Sequence, residues 1–330
     1  MLITDVDKFV KSPMISVVVT TYNHEHYITE CLESILHQNC NIPFEVIIGD
    51  DASTDSTTSI CIQYQKKYPK QISCILQEHN KGHLNNYADC LELCRGKYIA
   101  QCAGDDYWCD ISKLQKQYDC LENRDGYGLV STSGWRLQNG IMFPARLDMF
   151  CEEGDVRVLR SYGSLEFASS IFFERQLLQY VDIRSWKELG IIMEDYVMQA
   201  IFAHHTKFAH ISDKCVVYRI LSNSVSNSTS FDKRVEIALS KINVQRYLKT
   251  LYSQELTEVW SDDLLNDMSV YLKLRQAIYH GRGGYLEAKR LKMFLRTSTY
   301  KKKWYCKCLR GKLSFVLLTI GMRIQVWYKQ

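Results

Sequence analysis

Residues 15–20 read Ile-Ser-Val-Val-Val-Thr and run straight into Thr21-Tyr22-Asn23. A continuous β-branched run of this length suits a strand buried on both faces, as in a parallel sheet. Ile28, Cys31, Leu32, Ile35 and Leu36 follow at helical spacing. Phe44–Ile48 predicts a second strand, Ile72–Leu76 a third and Lys97–Cys102 a fourth. Between them, Thr54–Tyr68 predicts a helix capped by Ser53 or Asp55, and Leu84, Tyr87, Ala88, Leu91 and Cys94 mark another. Strands alternating with helices of this length imply βαβ units, hence a parallel sheet with helices on both faces.

Further along, the character changes. Gly128–Ser133 and Ser169–Phe173 predict strands, joined by an irregular stretch around Gly134–Gly154. A helix is expected from near Glu194 to His204, then a short strand at Val216–Ile220. Ser222–Ser230 (SNSVSNSTS) has loop chemistry, and the pattern from Phe231 to Arg296 is helical with a break at Gly281–Gly284. The expected organisation is an α/β catalytic domain over 1–230, a helical extension over 231–300 and a basic amphipathic tail over 301–330.

The chain has 330 residues, 46% apolar and 24% charged, a balance that excludes collagen-like and intrinsically disordered chains. Its net charge of +4 hides an asymmetry. After Glu287 there is no acidic residue but there are 12 Lys and Arg, which leaves 29 basic against 37 acidic residues before that point, a net of −8. An acidic body argues against a nucleic-acid partner, because phosphate neutralisation needs a basic face. The basic tail carries the apolar segment Leu313–Tyr328, interrupted by Arg323 and shorter than the roughly 20 residues a spanning helix needs. It is expected to lie in an anionic membrane interface, against the alternative of a terminal helix docked on the body. The 13 cysteines form no CxxC pair, and Met1–Lys11 lacks the pattern of a secretory signal. Both features suit a reduced, cytoplasmic protein at the inner face of a membrane.

In an open α/β sheet, ligands bind beyond the carboxyl ends of the strands. Those ends here carry Thr20-Thr21-Tyr22-Asn23, Gly49-Asp50-Asp51-Ala52-Ser53-Thr54-Asp55, Glu78-His79-Asn80-Lys81-Gly82 and Gly104-Asp105-Asp106-Tyr107-Trp108. Carboxylates cannot hold phosphates directly, but they can hold a ribose, a base N–H or a divalent cation that in turn binds phosphates. No GxGxxG follows the first strand and no GxxxxGK[ST] occurs anywhere. That disfavours a nicotinamide dehydrogenase and a P-loop kinase, and favours a nucleoside diphosphate carried on a metal.

With these elements in order, the sequence resembles the family 2 glycosyltransferases of the GT-A fold. The resemblance is carried by SVVVTTYNHEHYITECLESILHQ, FEVIIGDDASTDST, the NKG turn, AGDDYWCDISKLQKQ, MEDYVMQ and VYRILSNSVSNS, over about residues 14–228. It implies a Rossmann-like mixed sheet flanked by helices, with a helical C-terminal extension. It implies that Thr20 and Tyr22 line the base pocket, that Asp51 accepts a base N–H, and that Asp106, with Asp105 beside it, holds Mg²⁺ or Mn²⁺ against the diphosphate. Asp195 matches the family's catalytic base. The implied reaction is inverting sugar transfer from a UDP- or GDP-sugar to a glycan or lipid-linked acceptor, in surface polysaccharide or glycolipid synthesis.

Two departures stand out: Ala52 where Gly is more usual, and Ala103 where close relatives often carry an acid. Two rival readings are a non-catalytic nucleotide-sugar-binding scaffold and a sugar-nucleotidyltransferase, the latter needing a Gly-rich basic loop where this chain has TTYNHEHY. Several residues keep two readings. Asp50, Asp51 and Asp55 could simply cap the helix after the second strand, and Tyr107 and Trp108 could anchor the core. His204, His205 and His210 could ligate a metal or be structural, and Arg219 could meet phosphate or pair with an acid.

Overall fold

The computed structural model describes residues 1–3, 12–145, 153–154, 167–221, 230–252, 262–280, 286–288 and 291. The chain divides into two compact units, one of residues 1–187 with 194–220, the other of 188–193 with 221–330. The expected tail over 301–330 and the SNSVSNS loop lie outside the described residues. Among the described residues no helix is long and apolar enough to cross a membrane.

The first unit is built on β2 (Ile15–Thr21), whose apolar residues are all buried. Its parallel neighbours are β3 (Phe44–Asp50) on one side and β5 (Tyr98–Ala103) on the other, and β4 (Ile72–Leu76) pairs with β3. A short N-terminal strand, β1 (Leu2–Ile3), runs antiparallel on β4. Because β3 and β5 flank β2 on opposite sides, the strand order reverses at β2, which opens a crevice between the carboxyl ends of β2 and β5.

Helices α1 (Ile28–Leu36), α2 (Thr57–Lys67) and α3 (His83–Leu93) make the crossovers. Ile28, Cys31, Leu32 and Ile35 of α1 are fully buried, the apolar stripe that the spacing predicts. α2 starts three residues later than expected, with Asp55 Oδ1 accepting the Thr57 N–H at 2.9 Å as a cap. The described cysteines are all free thiols, most of them buried. Burial pushes the Cys74 thiol up to about 12, so it behaves as a small apolar residue.

Beyond β5 the sheet is mixed rather than purely parallel. β6 (Tyr107–Trp108) and α4 (Lys113–Glu122) follow, then β7 (Tyr127–Gln138), β8 (Ile141–Pro144), β9 (Glu153–Gly154), β10 (Phe172–Glu174), α5 (Glu194–His205) and β11 (Lys207–Arg219). β10 is antiparallel to both β5 and β7, β11 is parallel to β7, and β6 is antiparallel to β11.

Several expectations are corrected here. Residues 134–144 are not irregular: β7 continues to Gln138 and folds back into β8. The turn is Asn139-Gly140, both at positive φ (50° and 78°), a dipeptide that by itself signals a hairpin. The expected strand at 169–173 is a 3₁₀ turn (Ala168–Ser170) followed by β10. The strand at 216–220 is the end of the much longer β11, whose register shifts between Ile211 and Val216 hide its periodicity.

The second unit contains α6 (Phe231–Leu251) and α7 (Asp262–His280), with Phe231, Val235, Leu274, Ala277 and Ile278 in its core. Asp232 accepts hydrogen bonds from Gln276 Nε2 at 2.6 Å and His280 Nε2 at 2.9 Å across the helix pair.

One cation sits deep in the first unit. Lys113 is 0% exposed, its Nζ donates to Gln117 Oε1 at 2.7 Å and stands 4.0 Å from the centre of the Trp108 ring. Burial pushes its ammonium down to about 8. The unfolded chain keeps this proton to about 10.4, so between those values it binds more protons than the native state and stability rises with pH. Urea unfolding of wild type and Lys113→Met between pH 7 and 10.5 should show the difference moving toward wild type by on the order of 3 kcal/mol. A difference that stays flat with pH would refute the buried-cation account.

Candidate functional site

The crevice at the β2–β5 switch point is built from loops that lock one another. Asn23, at φ 56°, turns the chain after β2, and its side-chain oxygen accepts the Thr54 N–H at 2.8 Å. In return the Asn23 N–H donates to Ser53 Oγ at 2.9 Å, the His24 N–H to Thr57 Oγ1 at 2.8 Å, and the Glu25 N–H to Asp55 Oδ2 at 3.1 Å. Asp50 is buried and accepts from the Ser53 and Thr58 hydroxyls, so it holds the loop rather than facing the crevice.

Asp51 is 3% exposed and bridges to the NKG turn, accepting the Lys81 N–H at 2.8 Å on Oδ1 and the Gly82 N–H at 2.9 Å on Oδ2. A ligand N–H would have to use the carboxylate's remaining lone pairs. Thr20, next to last in β2, pairs with Gly49 and Ala103, and its carbonyl accepts the Gly104 N–H at 2.9 Å. Tyr22 is 41% exposed on the loop beyond it, an aromatic surface at the crevice mouth.

The adjacent carboxylates after β5 differ sharply. Asp106 is 2% exposed, and both its oxygens are taken, Oδ2 by the Ser169 hydroxyl at 2.6 Å and Oδ1 by the Arg219 N–H at 2.9 Å. Burial first, and then the charge of Asp105, push its carboxyl well above the usual range. Asp105 is partly exposed, and its carboxylate accepts no hydrogen bond among the described residues; His24 Nε2 stands 4.0 Å from Oδ2. Among the described residues no three His, Cys, Asp or Glu side chains converge as a ready-made metal cage. A cation here would draw on one or two protein donors and on its ligand's phosphates, the usual mode for Mg²⁺.

Gly104 lets Thr21 and His24 pack closely against the loop after β5. A Cβ there would stand 2.7 Å from Thr21 Oγ1 and 3.0 Å from His24 Nδ1. Both of those atoms are buried without a hydrogen-bond partner among the described residues. An oxygen-and-imidazole donor set around unsatisfied polar atoms fits a hard or borderline divalent ion.

Arg219 resolves to its ion-pair reading. Its guanidinium donates to the Asp105 carbonyl at 2.5 Å, pairs with Glu30 and lies over the rings of Tyr27 and Tyr107. Trp108 anchors the loop from below, its Nε1–H donating to the Ser169 carbonyl at 3.0 Å. His210 sits between Ser131 Oγ at 2.8 Å and Ser133 Oγ at 2.9 Å, with burial pushing its ring down to about 4. His204 and His205 lie at the C-terminal end of α5, and the His205 ring stacks on Tyr180.

Glu194 and Asp195 open α5. Glu194 Oε2 lies 3.0 Å from Nε2 of His83, the residue that follows the Asp51-held turn. Burial alone would raise the Glu194 carboxyl, but His83 beside it holds it below the usual range. Asp195 Oδ1 accepts the N–H of Tyr196 at 2.7 Å. The buried Tyr87 phenol donates to Gln101 on β5 and is pushed up by burial and then by Glu194, with Asp195 also contributing. The structure thus brings Asp51, the NKG turn, His83, Glu194 and Asp195 into one chain of neighbours along the sheet's carboxyl edge.

Residues 16–161 match the model of glycosyl transferase family 2. The chain carries a family 2 glycosyltransferase domain. An uncharacterized protein of Mycobacterium tuberculosis is 46% identical over 107 residues, 32% of this chain and 31% of its own length. Bacillus subtilis TuaG, a glycosyltransferase named for teichuronic acid biosynthesis, is 34% identical over 141 residues, 41% of this chain and 55% of its own length. The matches therefore span between about a third and about half of those relatives. Among solved structures, S. aureus TarS 1-349 in complex with UDP aligns at a TM-score of 0.56 and 17% identity over 94% of this chain and 91% of its own. The mannosyltransferase PcManGT of Pyrobaculum calidifontis, in complex with GDP-Man and Mn²⁺, aligns at 0.50 and 16% identity over 97% and 88%. The mixed sheet flanked by helices is that of the GT-A fold.

Sequence reading of the family 2 domain passed over Thr21, His24, His83 and Ser169. Thr21 and His24 stand inside the quoted TTYNHEHY loop, so their place at the switch point was a signal within reach. Ser169 is 63 residues from Asp106 and carries no local signal.

Ala52 is the departure that the backbone explains, because it sits at φ 60°, where a side chain costs about 1–2 kcal/mol. Ala52→Gly should stabilise the family 2 domain by about 1 kcal/mol net of the glycine's extra freedom when unfolded. Equilibrium urea denaturation measures it, and a destabilised variant would contradict the strain.

Proposed function

We propose that the chain is an inverting, metal-assisted glycosyltransferase acting on a nucleotide-sugar donor. The observation that carries this reading is the pair of adjacent carboxylates after β5, one buried as a brace and one turned to the switch-point crevice where a diphosphate would lie. The donor class is supported by the UDP and GDP-Man complexes of the structural neighbours. A relative named for teichuronic acid biosynthesis supports a surface-polysaccharide acceptor. From sequence alone, the basic tail would bring the enzyme to an anionic membrane face carrying a lipid-linked acceptor.

In this reading Asp105, rather than Asp106, is the metal ligand, because Asp105 is partly exposed with a carboxylate that accepts no hydrogen bond among the described residues, whereas Asp106 is buried and braces Ser169 and Arg219. When bound, Mg²⁺ or Mn²⁺ supplies Lewis-acid stabilisation of the charge that grows on the departing diphosphate. Tyr22 and Asp51 hold the base, and Thr20 lines the pocket floor. Asp195 takes the proton of the acceptor hydroxyl as that oxygen bonds to the anomeric carbon. The bond from that carbon to the phosphate oxygen breaks on the opposite face, and configuration inverts. Glu194, paired with His83, fixes the start of α5 and so the position of Asp195.

Calorimetric titration of UDP and of GDP, each with and without Mn²⁺, tests the donor site. Wild type should bind one of them in a metal-dependent way, and Asp105→Ala should lose that dependence while keeping the wild-type melting temperature. Asp106→Ala should instead melt earlier, since it strands two buried donors at about 1–3 kcal/mol each. Metal-dependent binding retained in Asp105→Ala but lost in a normally folded Asp106→Ala would reverse the assignment. No metal-dependent binding of either nucleotide would sink the donor reading.

Asp195→Asn tests catalysis separately. Sugar transfer should fall by about 10²–10⁴-fold, as expected for a general base, with nucleotide affinity unchanged. Undiminished transfer would remove Asp195 from the mechanism, and binding without any turnover in wild type would favour the scaffold reading.

A further inference from the structure

We propose that His24 is a second protein ligand of the divalent cation, sharing it with Asp105 across the β2–β5 switch point. The inference rests on the donor-site reading above and deepens it. His24 Nε2 and Asp105 Oδ2 face each other at 4.0 Å. That is too long for a hydrogen bond, and it lies within the span of about 4.4 Å that one ion can bridge when each donor stands about 2.0–2.2 Å from it.

The backbone is set for this. Asn23 in the left-handed region turns the loop toward β5, and the His24 N–H is pinned to Thr57 Oγ1 at 2.8 Å. The His24 side chain is partly exposed, whereas its Nδ1 is buried and has no hydrogen-bond partner among the described residues. A ligating imidazole donates its other ring N–H to a fixed acceptor, which sets the tautomer and the ring plane. The Thr21 hydroxyl is the group placed for that. Thr21 is 3% exposed, its Oγ1 is also without a partner, and it lies with Nδ1 around the point that a Cβ on Gly104 would occupy. Gly104 thus leaves room for His24 and Thr21 to approach the metal loop, and any larger residue would push them apart.

The donor set has a chemical consequence. Carboxylate and phosphate oxygens alone suit Mg²⁺, whereas an added imidazole raises affinity for Mn²⁺ and later ions of the series. With nucleotide present, the chain should prefer Mn²⁺ to Mg²⁺. His24→Ala should weaken Mn²⁺ binding by about tenfold or more and leave Mg²⁺ binding nearly unchanged.

The deciding experiment is pulsed electron paramagnetic resonance of Mn²⁺ on the full chain with UDP, and separately with GDP. Wild type should show modulation from a directly bound imidazole nitrogen. The pattern should shift in protein labelled with the heavy nitrogen isotope in histidine alone, a control that needs no mutant to fold. The modulation should vanish in His24→Ala. Nucleotide-dependent Mn²⁺ that is lost in Asp105→Ala but shows no imidazole coupling in wild type would overturn the His24 assignment and leave the donor site standing. Coupling that survives in His24→Ala would assign it to another histidine and overturn the proposal equally. Mn²⁺ that binds with neither nucleotide would remove the donor site itself, and this inference with it.

Discussion

The buried carboxylate of Asp106 ties together three segments that are far apart in sequence. It accepts the hydroxyl of Ser169 from the 3₁₀ turn before β10 and the main-chain N–H of Arg219 at the end of β11. Ser169 also accepts the Ala103 N–H at 3.0 Å, so the end of β5, the 168–170 turn and the end of β11 meet at one point. A buried carboxyl is costly unless it is hydrogen-bonded, and here two donors, one from each segment, offset part of that cost. The loop after β5 therefore has a single position, and the crevice beside β2 inherits it.

That constraint separates the roles of neighbouring acids. With Asp106 turned inward, Asp105 is left partly exposed, with His24 Nε2 across a gap of 4.0 Å. Arg219 reinforces the arrangement by donating to the Asp105 carbonyl and pairing with Glu30 between the rings of Tyr27 and Tyr107. An arginine so enclosed stiffens the loop and is spent before any phosphate arrives. A second carboxylate centre, Asp51, does similar work for the NKG turn, and His83 at the start of α3 carries that order on to Glu194. Rigid anchors on both sides of the crevice are what a site must have if it is to stabilise developing charge without reorganising.

Much of the fold was legible in the chain. The βαβ half, from β2 to β5, shows itself in apolar runs and helical stripes, because parallel strands buried on both faces must be almost wholly apolar. The later half was harder. β11 is bulged and partly exposed, which breaks its alternation, and the 3₁₀ turn at Ala168–Ser170 has no periodic signature. The β7–β8 hairpin was readable from Asn139-Gly140 and was passed over, since the flanking residues are largely exposed and look like loop.

For the site, the sequence by itself determined the chemistry: which loops end the strands, that they are acidic, and that no glycine cradle for phosphate exists. Tertiary structure alone decided which acid is buried and partnered and which is left partly exposed. Asp105 and Asp106 are indistinguishable in a string, because their difference lies in partners 63 and 113 residues away. The same holds for His24 and Thr21, whose unsatisfied nitrogen and oxygen acquire meaning only when Gly104, in the loop after β5, is brought against them. Composition and period report what each residue would bury, and only the packed sheet settles which polar atoms are left without a partner.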